Sequence, residues 1–396
     1  MTRGPRDVRR RELGGRDPLD RRLGSPPPSP FAWLLSLLRT RSALGLAPSL
    51  TPAALFLLLG AVAGPHALGF LSAPLLARLD LAVTIALAIL GIIVGIALGR
   101  EIRSAVRLFV AASLESLVTI VAVGGATVYF VHATHVPIAA PLLVLAIALG
   151  LSASASSATS ADPDSEPVAA VATRVADLDD VLPIVVTIGA CALVPGAVDR
   201  GLWMVLLAPI VVGAAVGAIG WLLFERAESN AERVVFVLGA LSLAGGAASY
   251  LRVSPLAVGL IAGGIWTLAP GRADRIVQDD LRKVQHPLVV LLLVTAGAMA
   301  TPSLAAVWLL TPYLLFRLAG KVAGAWLSAR LVEVSAADLA AYLMSPGVLA
   351  VAFALNFRQL LPGTAGDVIL STVAMGTAAF ELFALAGVPH WRGATR

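Results

Sequence analysis

Residues 160–194 read SADPDSEPVAAVATRVADLDDVLPIVVTIGACALV. The first eight, ending at Pro167, combine two prolines with three acids and break any helix that enters them. A helix opening at Pro167 suits proline's fixed φ at the first helical position. It then runs apolar except for Arg174 and the acids Asp177, Asp179 and Asp180. At 1.5 Å per residue, Asp180 falls ~20 Å along a helix of ~43 Å. That depth is the middle of a hydrocarbon core ~30 Å thick, with Arg174 and Asp177 in an inner vestibule. The alternative is a helix that starts at Asp179, where the acids only cap it and favour its dipole. The first reading carries carboxylates into a membrane, and the remainder of the chain bears on it.

The chain has 396 residues, 58% hydrophobic and only 13% charged, with a mean hydropathy of +0.88. A soluble domain averages about 25% charged residues. Half that cannot cover a globule of this size, which excludes an ordinary soluble enzyme, a nucleic-acid binder and a disordered protein. The expectation is an all-α polytopic membrane protein. The net charge of +5 is lopsided: residues 1–41 carry +6 and the rest −1. The arginines of that tail precede Ser25-Pro26-Pro27-Pro28-Ser29-Pro30, a disordered linker by composition. The expected division is a disordered Arg/Pro-rich cytoplasmic tail over 1–43 and a transmembrane domain over 44–390. The tail reads as a topology anchor, with lipid headgroup binding as the functional alternative. A single cysteine, Cys191, excludes an internal disulfide and a cysteine-based metal cluster.

A helix needs about 20 apolar residues to cross a bilayer. Twelve stretches qualify: 44–71, 79–98, 104–131, 136–159, 167–195, 201–224, 231–251, 254–270, 285–301, 303–331, 336–356 and 366–388. Residues 31–38 are too short and read as interfacial. With the N-terminus inside, inner joins hold nine basic residues and outer joins four (Arg78, Arg200, Arg252 and Arg358), as the positive-inside rule requires. Both termini are then cytoplasmic in a cell (inner or plasma) membrane. Residues 271–284 have the apolar spacing of a short amphipathic helix on the inner surface.

An ionisable group inside a membrane costs several kcal/mol unless paired or hydrated, so each one is a functional candidate. Besides Asp177, Asp179 and Asp180, these are Lys321 with Arg317 one turn away, Glu115 and Glu381. Lysine, unlike arginine, can release a proton when buried. A structural ion pair or snorkelling toward the cytoplasm is the alternative for Lys321. Glu115 and Glu381 read as structural groups that bridge helices or bond a backbone break. His132 and His135 lie in VHATHV with no third ligand beside them and read as a solvated loop, so no metal site is expected.

Two of the twelve stretches are interrupted. The fourth ends in Leu151-Ser-Ala-Ser-Ala-Ser-Ser-Ala-Thr-Ser160 and the breaker, and the eleventh contains Ser345-Pro346-Gly347. Interrupted helices in corresponding positions of two halves are the best sequence pointer to a transporter site. The offset of seven is odd, so stretches 3–5 and 10–12 would be inverted repeats.

These residues together resemble a monovalent cation:proton antiporter of the sodium/hydrogen exchanger superfamily. Leu57-Leu-Leu-Gly-Ala-Val-Ala-Gly-Pro-His-Ala-Leu-Gly69 is similar to that family's early LLGxxxGPxxLG. Leu178-Asp179-Asp180 resembles its paired-acid motif, and Arg317-Leu-Ala-Gly320-Lys321-Val-Ala-Gly324 its RxxGKxxG. Pro346-Gly347-Val-Leu-Ala resembles its broken eleventh helix. Phe380-Glu381-Leu-Phe-Ala-Leu-Ala-Gly387 resembles its terminal ELxGP, with Val in the proline's place. His286-Pro287 with the Leu291–Ala298 run fits a further recurrent stretch. The likeness covers roughly 50–388. The family's helix before LLGxxxGP is missing or reduced to 31–47.

The resemblance implies an inverted-repeat antiporter fold with two broken crossing helices. It also implies alternating-access exchange of a monovalent cation, sodium first, for protons, electrogenic where two acids stand together. Asp180 would bind cation and proton in turn, Asp179 would pair with Lys321, and Thr159 matches the family's fourth-helix Thr. No cofactor is implied. The partners are the lipid bilayer, cations and protons, no nucleic acid, and a second copy in a homodimer. Potassium/proton exchange, sodium-coupled symport and a non-transporting sensor or scaffold of the same fold remain open. An intramembrane aspartyl hydrolase fits poorly, because its acids should come from two helices.

Overall fold

The structure, a computed structural model, describes residues 52–102, 106–135, 141–157, 167–194, 199, 201–270, 273–361 and 363–385. The Arg-rich tail over 1–43, the stretch 31–38, the breaker at 158–166 and Thr159 lie outside the described residues.

Among the described residues every regular element is a helix, and the expected twelve stretches each coincide with one helix or a pair. In order they are α1 (Pro52–Ala63), α2 (Ala73–Glu101), α3 (Val106–Thr134), α4 (Leu142–Ser154), α5 (Pro167–Leu178), α6 (Val181–Cys191) and α7 (Leu202–Arg226). There follow α8 (Asn230–Leu251), α9 (Pro255–Leu268), α10 (Ala273–Met299), α11 (Leu304–Val332), α12 (Ala336–Leu343), α13 (Val348–Leu360) and α14 (Thr364–Leu385). Six of them (α2, α3, α7, α8, α11 and α14) are long and apolar enough to cross a membrane unaided. This is a multi-pass membrane protein.

The helix starts follow local chemistry. Ser229 and Glu232 form a reciprocal capping box at α8. Ser254 and Ser303 each accept an N–H in the first turn of α9 and α11, from Ala257 at 3.3 Å and Ala306 at 3.2 Å. Two expected boundaries need correction. The first stretch ends at Ala63 rather than 71, because Pro65 cannot continue the helix and the Gly64 carbonyl closes a turn with Gly69 at 2.9 Å. The amphipathic segment over 271–284 is no separate surface helix. It continues without a break into α10, which keeps Pro287 inside it.

Two hydrophobic clusters organise the helices. One joins α2, α7, α8, α9 and the first half of α10 around buried Trp266. Its indole donates to the Gly217 carbonyl at 2.9 Å and meets the Phe224 ring edge-on at 5.1 Å. The other spans α1 to α6 and α9 to α14, with α3 lying along α11 and α4 against α13. The seam between α2 and α9 is backbone on backbone: a Cβ added to Gly259 would lie 2.0 Å from the Ala88 carbonyl oxygen. Without a hydrophobic drive between helices in lipid, such small-residue seams supply the packing. Gly259→Val is expected to force the two helices apart and abolish the monodisperse peak in detergent size-exclusion chromatography. Gly246→Ala, at a position with nothing within 4 Å of the added carbon, should leave that peak unchanged.

Candidate functional site

The paired acids sit at a joint. Helix α5 opens at Pro167 and closes at Leu178, and α6 begins at Val181. Helical bonding carries across the joint, with Asp179 N–H on the Val175 carbonyl at 2.9 Å and Ile184 N–H on the Asp180 carbonyl at 3.1 Å. The defect is at Pro183, which has no N–H to give the Asp179 carbonyl four residues earlier. Ser116 of α3 donates its hydroxyl to that carbonyl instead. The expected unbroken helix over 167–195 is therefore two helices. The capping alternative is met in its boundary and not in its bond, since Asp180 stands at the N-cap of α6 without making a side-chain cap bond.

The two interrupted stretches meet. Helix α4 ends at Ser154 and the chain turns extended at Ala155. Ser156 then pairs antiparallel with Pro346, and Ser157 N–H donates to the Ser345 carbonyl at 3.0 Å. A side chain on Gly347 would begin 2.9 Å from the Ser156 carbonyl oxygen, so only glycine lets the strands touch. Non-helical backbone at membrane depth is tolerated only when its polar groups are met within protein or water. Here each break satisfies the other.

Beside this crossing, α11 delivers two cations. Arg317 donates to the carbonyls of Ala153 and, at 3.1 Å, Ala155, and Lys321 donates to the Ser154 carbonyl. These are the last carbonyls of α4, which lack helical partners and carry its negative dipole end. Lys321 Nζ also lies 3.0 Å from Glu115 Oε1 on α3 and 3.4 Å from Asp179 Oδ2. Arg317 lies 5.3 Å over the Phe380 ring. Glu115, Asp179, Arg317 and Lys321 are 0% exposed and Asp180 is 2% exposed. Ser156 donates its hydroxyl to Asp179 Oδ2. Asp179 Oδ1 and Asp180 Oδ1 make no hydrogen bond.

Not every candidate joins this cluster. Asp177 is exposed on α5, where Arg174 pairs with Glu101 at the end of α2. Glu381 accepts the Ala54 N–H in the first turn of α1, a helix N-terminus that favours an anion. Pro346 and Gly347 act through backbone at the crossing. Thr159 lies outside the described residues. The His132 and His135 rings meet edge-on at 6.3 Å, and no group of His, Cys, Asp and Glu among the described residues could hold a metal. Cys191 is buried against Val205 and Leu360.

Sequence reasoning missed Ser116, Ser156 and Asn356. Asn356 is fully buried on α13 with both amide atoms unbonded. A signal existed for Ser116 and Ser156: Pro183 marks a carbonyl without its helical donor, and the serine run before the breaker supplies hydroxyls.

No protein-family model matches the chain, and no curated protein matches it. A solved structure is similar: the sodium proton antiporter MjNhaP1 from Methanocaldococcus jannaschii, at 19% sequence identity and a TM-score of 0.60, covering 84% of this chain and 90% of that one. The chain has the fold of a sodium/proton antiporter. At that identity an antiporter fold fixes the helix arrangement and leaves most side chains free to differ.

Proposed function

We propose that the protein is a secondary transporter, not an enzyme, that exchanges a monovalent cation, sodium first, for protons at Asp180. The observation that carries this is charge. Three buried carboxylates (Glu115, Asp179 and Asp180) face two buried cations, Arg317 and Lys321. With all five ionised, one negative charge is uncompensated in low dielectric, where an unpaired charge is expensive. One monovalent cation or one proton removes the excess, and a site that takes either but not both couples the two. Asp180 binds them in turn, and Asp179 shares Lys321. The carboxylates supply oxygen ligands for a hard cation, and the resemblance adds the Thr159 hydroxyl to them.

The stretches corresponding to 3–5 and 10–12 are then inverted repeats. Rocking of the bundle that bears the crossing against the Trp266 bundle gives alternating access. The protein works in the cell membrane with both termini cytoplasmic, as a homodimer. The fold of the sodium proton antiporter MjNhaP1 supports this reading.

The test is a fluorescence-dequenching assay of proton flux in proteoliposomes, with sodium, potassium and lithium added in turn. Sodium is expected to collapse the pH gradient fastest. Potassium as the best ion moves the assignment to potassium/proton exchange. Proton flux in the same direction as sodium indicates symport, and no response to any ion leaves a non-transporting membrane scaffold.

A further inference from the structure

Glu115 has a larger part in the site than a helix bridge. The Lys321 ammonium carries three N–H donors, and they meet three groups. These are the Glu115 carboxylate, with Oε1 at 3.0 Å and Oε2 at 3.2 Å, the Ser154 carbonyl, and Asp179 Oδ2 at 3.4 Å. The contact to Asp179 is the longer of the two carboxylate contacts. Asp179 Oδ2 is already taken by Ser156, and its Oδ1 is unbonded.

Glu115, by contrast, is fixed. Thr119, one turn on in α3, donates to its Oε1 at 3.3 Å. Gly324 of α11 closes over it, and a Cβ there would lie 3.1 Å from the Glu115 Cγ. Helices α3 and α11 lie along one another for most of their length, so this pair cannot separate without parting two long helices. The joint at Asp179 and Asp180 keeps helical bonds across it but lacks one, the Pro183 donor to the Asp179 carbonyl, which Ser116 replaces.

Resting on the exchange reading above, we propose that Glu115 is the standing counter-ion of Lys321. It holds the ammonium while Asp179 gives it up, and so is a positioning residue that sets the site's hold on its cation. Were Asp179 the only carboxylate on Lys321, each loading event that engaged Asp179 would strand a buried ammonium. With Glu115 in place the ammonium keeps a charged partner in both conditions. Glu115 itself touches no transported ion. Its effect passes through the position of Lys321.

Two measurements test this. In proteoliposomes, Glu115→Gln should raise the apparent KM for the cation about tenfold, as expected for a nearby charge removed in a medium of intermediate dielectric. The change in kcat should be smaller, because Lys321 falls back on Asp179 and competes with the ion. Glu115→Asp should recover most of the loss. An unchanged KM, or a fall in kcat alone, overturns the proposal.

The second measurement needs no transport. In detergent, Lys321→Met lowers Tm, and adding Glu115→Gln should restore more of it than adding Asp179→Asn, because it removes the more firmly held orphan. Equal or greater recovery from Asp179→Asn overturns the pairing. A parent protein with no cation-dependent flux refutes the exchange reading alone, and the Tm series still decides the partner of Lys321.

Discussion

The Asp180→Asn variant is expected to insert and fold like the parent and to lose cation-dependent proton flux down to the background of empty liposomes. Asparagine keeps the shape and cannot carry a proton or a charge across the transport cycle. Folding does not need the carboxylate: Asp180 makes no cap bond to α6, and its Oδ1 has no partner. Removing a buried carboxylate whose Oδ1 has no partner, from a cluster in which carboxylates outnumber cations three to two, should leave Tm unchanged or raise it. Ligand linkage gives a second readout. Saturating cation should stabilise the parent by about 2.7 kcal/mol at a hundredfold excess over Kd and should not stabilise the variant. Residual flux above about a tenth of the parent's would place the exchange site elsewhere.

Lys321→Met is expected to act differently, on stability as well as flux. It removes the one ammonium that Glu115, Asp179 and the Ser154 carbonyl share. Breaking a buried pair by deleting one partner costs about 3–5 kcal/mol, because the remaining charge is stranded. Here two carboxylates and a helix C-terminus lose their cation together, so the loss should reach that range. It would be measured as the fall in Tm of purified protein in detergent. Lys321→Arg should rescue little: a planar fork cannot reproduce three donors radiating from one nitrogen, and Gly320 and Gly324 bring α3 too close for the extra bulk. A Tm within about 2 °C of the parent for Lys321→Met would mean that the ammonium does not hold the crossing together.

Much of the fold is legible because bilayer thickness fixes helix length. Long apolar stretches such as 201–224 and 231–251 fall on α7 and α8 with small shifts. Charge in an apolar run is as legible, and so Asp179, Asp180, Lys321 and Glu115 could be singled out. Pairing was harder to read. Glu115 and Lys321 lie 206 residues apart, and no local pattern says that α3 runs along α11. Arg317 stands one turn from Lys321 as its spacing implies, but its own partners, the carbonyls of Ala153 and Ala155, have no local signal in the sequence. Asp177 and Arg174, expected in an inner vestibule, both lie on the exposed face of α5. Pro183 and Pro287 show why breakers mislead. The first gives a joint because the Ser116 hydroxyl stands ready to donate to the freed carbonyl, whereas α10 continues through the second.

The contacts of Lys321 also set an order of events during synthesis. Glu115 and Asp179 precede it by 206 and 142 residues. At a translation rate of 5–20 residues per second, the carboxylates emerge roughly 10–40 s and 7–30 s before their cation. Until α11 arrives, Glu115, Asp179 and the end of α4 lack the cation that they share in the folded chain. The arrival of α11 is the step that supplies it.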